Sequence, residues 1–174
     1  MSKLKDVRIL TITSMLVAIS ILLGFFKIPI TANIEIRFSF LPIALSSALF
    51  GPGVGAMVGI LSDVGGFIVK PTGPYFPGFT ISSAMTGLLF GYMFYKKEWS
   101  LKRIACGQIL YNVVIGLIIN SMNLYVLYGN GFLYLLATRF TKEMVMIPIN
   151  AILLFLTLKT CDKSIVKRSV IAHE

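Results

Sequence analysis

Three residues near the start of the last long apolar stretch could do chemistry: Arg139, Lys142 and Glu143. Their spacings of three and four place them near one face of a helix. Charges in an otherwise apolar helix are costly, so their presence points to a site. An Arg139–Glu143 pair with Lys142 snorkelling outward would neutralise itself only in part, leaving one positive charge. Arg37 and Lys70 come from neighbouring loops, so the outer mouth should be electropositive and should attract an anionic solute. Asn120 and Asn123, three apart, either tie helices together or read the donors and acceptors of a heterocycle, and Asn123 is nearer the mouth. Tyr75 and Phe76 are adjacent aromatics in Lys70-Pro71-Thr72-Gly73-Pro74-Tyr75-Phe76-Pro77-Gly78, a connection stiffened by three prolines, and are expected to contact a ligand's rings. Asp63, in the middle of an apolar segment, could pair with a neighbour, cap a broken helix or bind ligand, and the structural role is favoured. Gln108, Asn112 and Asn150 are expected to act as helix–helix glue.

Other chemistries lack their residues. The chain has no GxxxxGK[ST] loop for nucleotide phosphates, no HExxH and no Ser/His/Asp set, and its lone histidine, His173, sits in the terminal tail. Cys106 and Cys161 fall in no metal-binding spacing and are expected to be reduced structural thiols. An enzyme, a metal site and a covalent cofactor are therefore not expected. Basic residues form no aromatic-interleaved patch, which argues against nucleic acid as a partner.

The elements that must position these groups are set by composition. Of 174 residues, 56% are hydrophobic and 13% charged, with a mean hydropathy of +0.86. A chain this short cannot hide so much apolar surface in its own core, so lipid must cover the remainder. The expected fold is all-α, an integral membrane bundle of six transmembrane helices forming one domain over 1–174. The segments run at about 7–26, 38–50, 54–69, 79–95, 104–127 and 135–158. The basic start followed by an apolar run reads as a retained first helix. Gly51-Pro52-Gly53 is either a turn or a kink.

With the N-terminus inside, eleven Lys and Arg residues lie on the cytoplasmic side and five on the other, so both termini are expected in the cytoplasm. Small residues at Ser14/Ala18, Gly51/Gly55/Gly59 and Gly87/Gly91 mark faces where helices can approach closely. The first outward connection, Lys27 to Arg37, alternates apolar and polar residues and is read as a loop, of which about Lys27 to Glu35 could act as a lid. Aromatics of the third, Tyr128, Phe132 and Tyr134, are either interfacial anchors or ligand contacts.

Arg37-Phe38-Ser39-Phe40-Leu41-Pro42, Gly51-Pro52-Gly53-Val54-Gly55, Gly59, Ser62-Asp63 and Tyr75-Phe76-Pro77-Gly78-Phe79 together resemble the substrate-binding S components of energy-coupling factor (ECF) vitamin transporters, the folate family above all. The resemblance covers nearly the whole chain. It implies a high-affinity vitamin receptor in the bacterial plasma membrane that captures folate outside. Such a receptor docks on a membrane T component carrying two ATPases, the only subunits to use ATP, and topples to release its cargo. Family members dock through an Ala-xxx-Ala motif on the first helix; the matching positions here are Ser14 and Ala18, with Ser replacing the first Ala. The chemistry of folate fits independently, and the expected site is Arg37, Tyr75, Phe76, Asn123, Arg139 and Lys142. The cations would meet the glutamate carboxylates, or Arg139 would lie deeper on the pterin carbonyl. Alternatives are another vitamin (riboflavin, thiamine or a queuosine precursor) and a structural membrane protein with no small ligand.

Overall fold

The computed structural model describes residues 7–31, 34–71, 75–129 and 132–162. Where water is absent, backbone N–H and C=O groups must bond within their own segment, and apolar runs therefore fold as helices. These are α1 (Val7–Phe25), α2 (Phe40–Phe50), α3 (Pro52–Val69), α4 (Pro77–Phe94), α5 (Leu101–Leu110), α6 (Asn120–Tyr128) and α7 (Phe132–Asp162). A π-helical segment, Tyr111–Ile119, joins α5 to α6 without a break, so the described residues form six helical stretches.

The six stretches are not six equal spans. Four are long and apolar enough to cross a bilayer: Val7–Phe25, Pro52–Val69, Leu101–Leu127 and Lys142–Cys161. α2 has only eleven residues, and at about 1.5 Å per residue it covers roughly half of a hydrocarbon core. It can be short because it is the bundle's centre: Phe40, Pro42, Ile43, Ala44, Ser46, Ser47, Ala48, Leu49 and Phe50 are all buried. α4 matches α3 in length but carries Thr80, Ser82, Ser83 and Thr86, which make it less apolar.

Gly51-Pro52-Gly53 is a turn between two helices. Gly51 takes φ of 102°, open to glycine and strained for other residues, and its N–H closes α2 on the Ser47 carbonyl at 3.0 Å. Pro52 then starts α3, where its missing N–H costs nothing. Across the α3–α4 contact, a Cβ at Gly87 would overlap the Gly55 backbone, one at Gly59 the Ser83 backbone, and one at Gly91 Pro52. Small residues here allow backbone-to-backbone packing.

The connection after α1 departs from the expected loop. β1 (Lys27–Thr31) pairs antiparallel with β2 (Ile34–Arg37), Lys27 opposite Arg37, with a register irregularity between Pro29 and Thr31. The all-α expectation needs this correction: the apolar–polar alternation of the segment is the period of a strand.

Packing is densest at the end that gathers the start of α1, the α2–α3 and α4–α5 turns and the end of α7. There Leu16, Ile43, Leu49, Phe50, Val54 and Val58 form one apolar cluster, flanked by Ile9, Trp99 and Cys161. A second cluster joins Phe40, Ala44, Ala48, Phe90, Phe94, Ile104, Leu154 and Leu158. Phe90 and Phe94 stack at 5.6 Å, and the Trp99 indole donates to the Phe94 carbonyl at 3.2 Å. Cys106 and Cys161 are free thiols.

Candidate functional site

The opposite end is hollow. A cavity of about 600 Å³ opens between α1, α3, α4, the α5–π–α6 rod and α7, within the range typical of small-molecule sites. Helical spacing supplies each wall. α3 presents Ser62, Asp63, Gly66, Phe67 and Lys70; α7 presents Arg139, Lys142, Glu143, Met146 and Asn150. Residues three and four apart share a face, so one stripe from each helix suffices.

Depth sorts the chemistry. Lys70, Arg139 and Lys142 lie towards the mouth-side ends of α3 and α7, with Glu143 and Asp63 as the anionic members of the wall. Asn150 follows Arg139 by eleven residues, about 16 Å further along the helix. Asn112 of the π segment and Asn150 are 0% and 6% exposed, yet Asn112 Nδ2, Asn150 Oδ1 and Ser62 Oγ have no hydrogen-bond partner within the protein. A buried polar atom left unpaired costs about 1–3 kcal/mol. All three residues belong to the cavity wall. Gln108, fully buried one turn below, donates from Nε2 to Asn112 Oδ1 at 3.0 Å and thereby fixes the Asn112 amide.

The π segment belongs to this wall, contributing Tyr111, Asn112, Ile115 and Gly116. π geometry frequently accompanies functional sites because it redirects side chains and backbone groups. Arg139 Nη1 donates to the Gly116 carbonyl at 3.0 Å, fastening α7 to the segment. The Glu143 carboxylate sits where a Gly116 side chain would be, with Oε1 at 2.8 Å from that position.

Aromatic groups complete the walls. Tyr111 stacks on Phe40 at 5.8 Å, and Phe76 meets Phe79 edge-on at 6.0 Å. Tyr75 tilts onto Phe67 at 5.1 Å, and its hydroxyl bonds Thr80 at 2.9 Å; Thr80 in turn donates to Asp63 Oδ2 at 2.7 Å. On the facing side, Ser20 donates to the Ser39 carbonyl at 2.8 Å and so ties α1 to the start of α2.

The structure thus brings Tyr75, Phe76, Arg139 and Lys142 to one cavity. Asn123 stands a layer behind: its Nδ2 donates to Ser82 Oγ at 2.9 Å, and it is Asn120 that reaches the wall. Arg37 ends β2, and its side chain lies outside the described ones, as do those of Tyr128, Phe132 and Tyr134. Thr72, Gly73 and Pro74 also lie outside the described residues. Asn112 and Asn150, expected from the sequence to act as helix–helix glue, stand on the cavity wall. The signal available was an isolated amide in the middle of each apolar run, which does not tell a packed face from a hollow one. On α1, Ser14 and Ala18 are both exposed, one turn apart on the same face.

A helical bundle closed by apolar packing at one end and hollowed into a polar-lined chamber at the other is a membrane-embedded receptacle for a small solute. Comparisons with known proteins give it a family. Residues 8–158 match the ECF transporter, substrate-specific component family. The folate transporter FolT of Clostridium novyi is 34% identical over 160 residues, spanning 92% of this chain and 93% of the relative. The riboflavin transporter RibU of Staphylococcus aureus is 30% identical over 123 residues, 69% of this chain and 65% of the relative. A crystal structure of FolT bound with folic acid superposes with a TM-score of 0.80 at 28% identity, covering 88% of this chain and 95% of that one. The chain belongs to the substrate-specific components of ECF transporters and is a multi-pass membrane protein.

Proposed function

We propose that this chain is the folate-binding S component of an ECF importer. The observation that carries the reading is the pairing of deep amides, each with one unpaired atom, with cations nearer the mouth, in a bundle like that of FolT bound with folic acid. A pterin offers a flat face and an edge of alternating donors and acceptors. Asn112 Nδ2 and Asn150 Oδ1 supply a donor and an acceptor for such an edge. The aminobenzoyl ring suits the aromatic wall at Tyr75, Phe76 and Phe79, and the glutamate carboxylates suit Arg139, Lys142 and Lys70. Arg37 and Asn123 join this set as a mouth cation and a support for the wall.

Transport follows from partners. The S component docks through the face bearing Ser14 and Ala18 on a T component with two ATPases, which alone hydrolyse ATP. Both termini lie in the cytoplasm of a bacterial cell, as the basic residues direct. Riboflavin is the second reading, on the strength of the RibU relative. It shares a flat heterocycle but lacks the two carboxylates, so the cations separate the two vitamins.

Mass spectrometry of the molecule that co-purifies with the detergent-solubilised chain tests the reading, followed by a binding panel. Folate should be retained without ATP, and no binding at micromolar folate sinks it. Ser14→Trp or Ala18→Trp should abolish uptake in cells while leaving binding intact. Uptake surviving both would move the docking face elsewhere.

A further inference from the structure

We infer that Asp63 is a positioning residue that slows ligand release: acting through Thr80, it holds the Tyr75 ring at the cavity mouth. The inference rests on the folate reading for its probe, and on the following geometry for its substance. Tyr75 is 45% exposed and belongs to the connection between α3 and α4, outside the packed helices. Its anchors come from α3 and from Thr80 of α4. The Phe67 ring lies against the Tyr75 ring at 5.1 Å, and Asp63, four residues earlier, reaches the Tyr75 hydroxyl through Thr80.

The direction of that relay is determined. An ionised carboxylate only accepts hydrogen bonds. Thr80 has one hydroxyl proton and gives it to Asp63 at 2.7 Å, so its oxygen is left to accept from the Tyr75 hydroxyl at 2.9 Å. Each group has one role, and none is interchangeable with water without loosening the next. The Thr80 bond also gives the intramembrane carboxylate a donor, which offsets part of its burial penalty.

The arrangement bears on retention more than on capture. An anionic Asp63 on the wall of a site for an anionic solute has no attraction to contribute. A ring fixed in advance of binding, by contrast, loses no freedom when the ligand arrives. Differences of this kind among variants of one site are expressed mainly in dissociation rate.

The test uses purified full-length chain and labelled folic acid chased by unlabelled folic acid. Tyr75→Phe, Thr80→Val and Asp63→Ala should each speed release by about tenfold, the equivalent of one hydrogen bond. Association should stay within about twofold in all three. The double variant Asp63→Ala/Tyr75→Phe should release no faster than either single, because one relay is broken once. Thr80→Ser restores the hydroxyl and should restore the rate. Asp63→Asn keeps the volume and a carbonyl acceptor and guards against misfolding of the alanine variant; it too should release slowly. Multiplying effects in the double variant, fast release by Thr80→Ser, or fast release by Asp63→Asn would each overturn the relay. Failure of the unsubstituted chain to bind folic acid overturns the folate reading instead. The same variants are then read with whichever vitamin co-purifies, and the same pattern of rates upholds or overturns the relay.

Discussion

The two ends of this bundle are made from the same helices under opposite rules. At the closed end, Val58, Phe90, Phe94, Leu154 and Leu158 are completely buried, and Gly55, Gly87 and Gly91 bring α3 and α4 into backbone contact. At the cavity end, Asn112 and Asn150 keep unpaired polar atoms, a carboxylate crowds Gly116, and a nine-residue π segment replaces regular helix. The first arrangement stabilises the empty protein. The second costs stability in the empty protein and returns it when a ligand supplies the missing partners. Stability and recognition are thus separable by position, and substitutions should reveal the boundary.

The largest expected effect is at the closed end. Gly87→Leu would drive a side chain into the Gly55 backbone, which cannot yield as a flexible side chain would. Overpacking typically costs about 1–3 kcal/mol, and a backbone clash lies at the upper end. Gly87→Leu should abolish monodisperse protein on size-exclusion chromatography; normal elution and melting would break the comparison. Asn150→Leu is next: it removes a buried orphan acceptor, so the empty protein should melt no lower than the unsubstituted one. Its folate affinity should fall by about ten- to a hundredfold, the cost of one buried hydrogen bond in the complex. Unchanged affinity would remove Asn150 from the site.

Phe94→Leu should do the reverse, lowering stability by about 1–2 kcal/mol in a thermal melt with folate affinity unchanged. A matching loss of affinity would show that the two ends are coupled. The smallest effect concerns charge. Lys70, Arg139 and Lys142 outnumber Asp63 and Glu143 on the cavity wall. Raising salt from about 0.05 to 0.5 M should slow folate association a few-fold and leave dissociation nearly unchanged. An accelerated association measured by stopped flow would reverse the sign assigned to the mouth.

Legibility in the sequence follows the same division. Apolar runs long enough for a bilayer announce helices whatever their neighbours are, and Arg139 and Lys142 announce themselves because charge in such a run is expensive. Gly87 and Gly91 could be read as a packing face from spacing alone. The hairpin was visible as alternation between Lys27 and Arg37, but a short alternating stretch between two helices reads equally as loop. Asn112 and Asn150 could not be told from helix glue, since their roles depend on which faces are left uncovered once all helices have packed. Asn123 and Asn120 exchange places for the same reason: three residues apart on a helix, one meets Ser82 and the other the cavity. No residue type signals the π segment, or that Arg139 of α7 would bond the Gly116 carbonyl within it.

That segment has a bearing on how such a chamber can change over generations. Each residue added to or removed from a helix rotates everything beyond it by about 100°. A π stretch holds surplus residues within an otherwise continuous rod. Deleting one residue between Val113 and Ile118 would let the stretch relax towards α geometry while Asn120 and Leu124 keep nearly their orientation relative to Asn112. A lineage could therefore shorten this wall by one residue and still keep the helix beyond it facing the chamber.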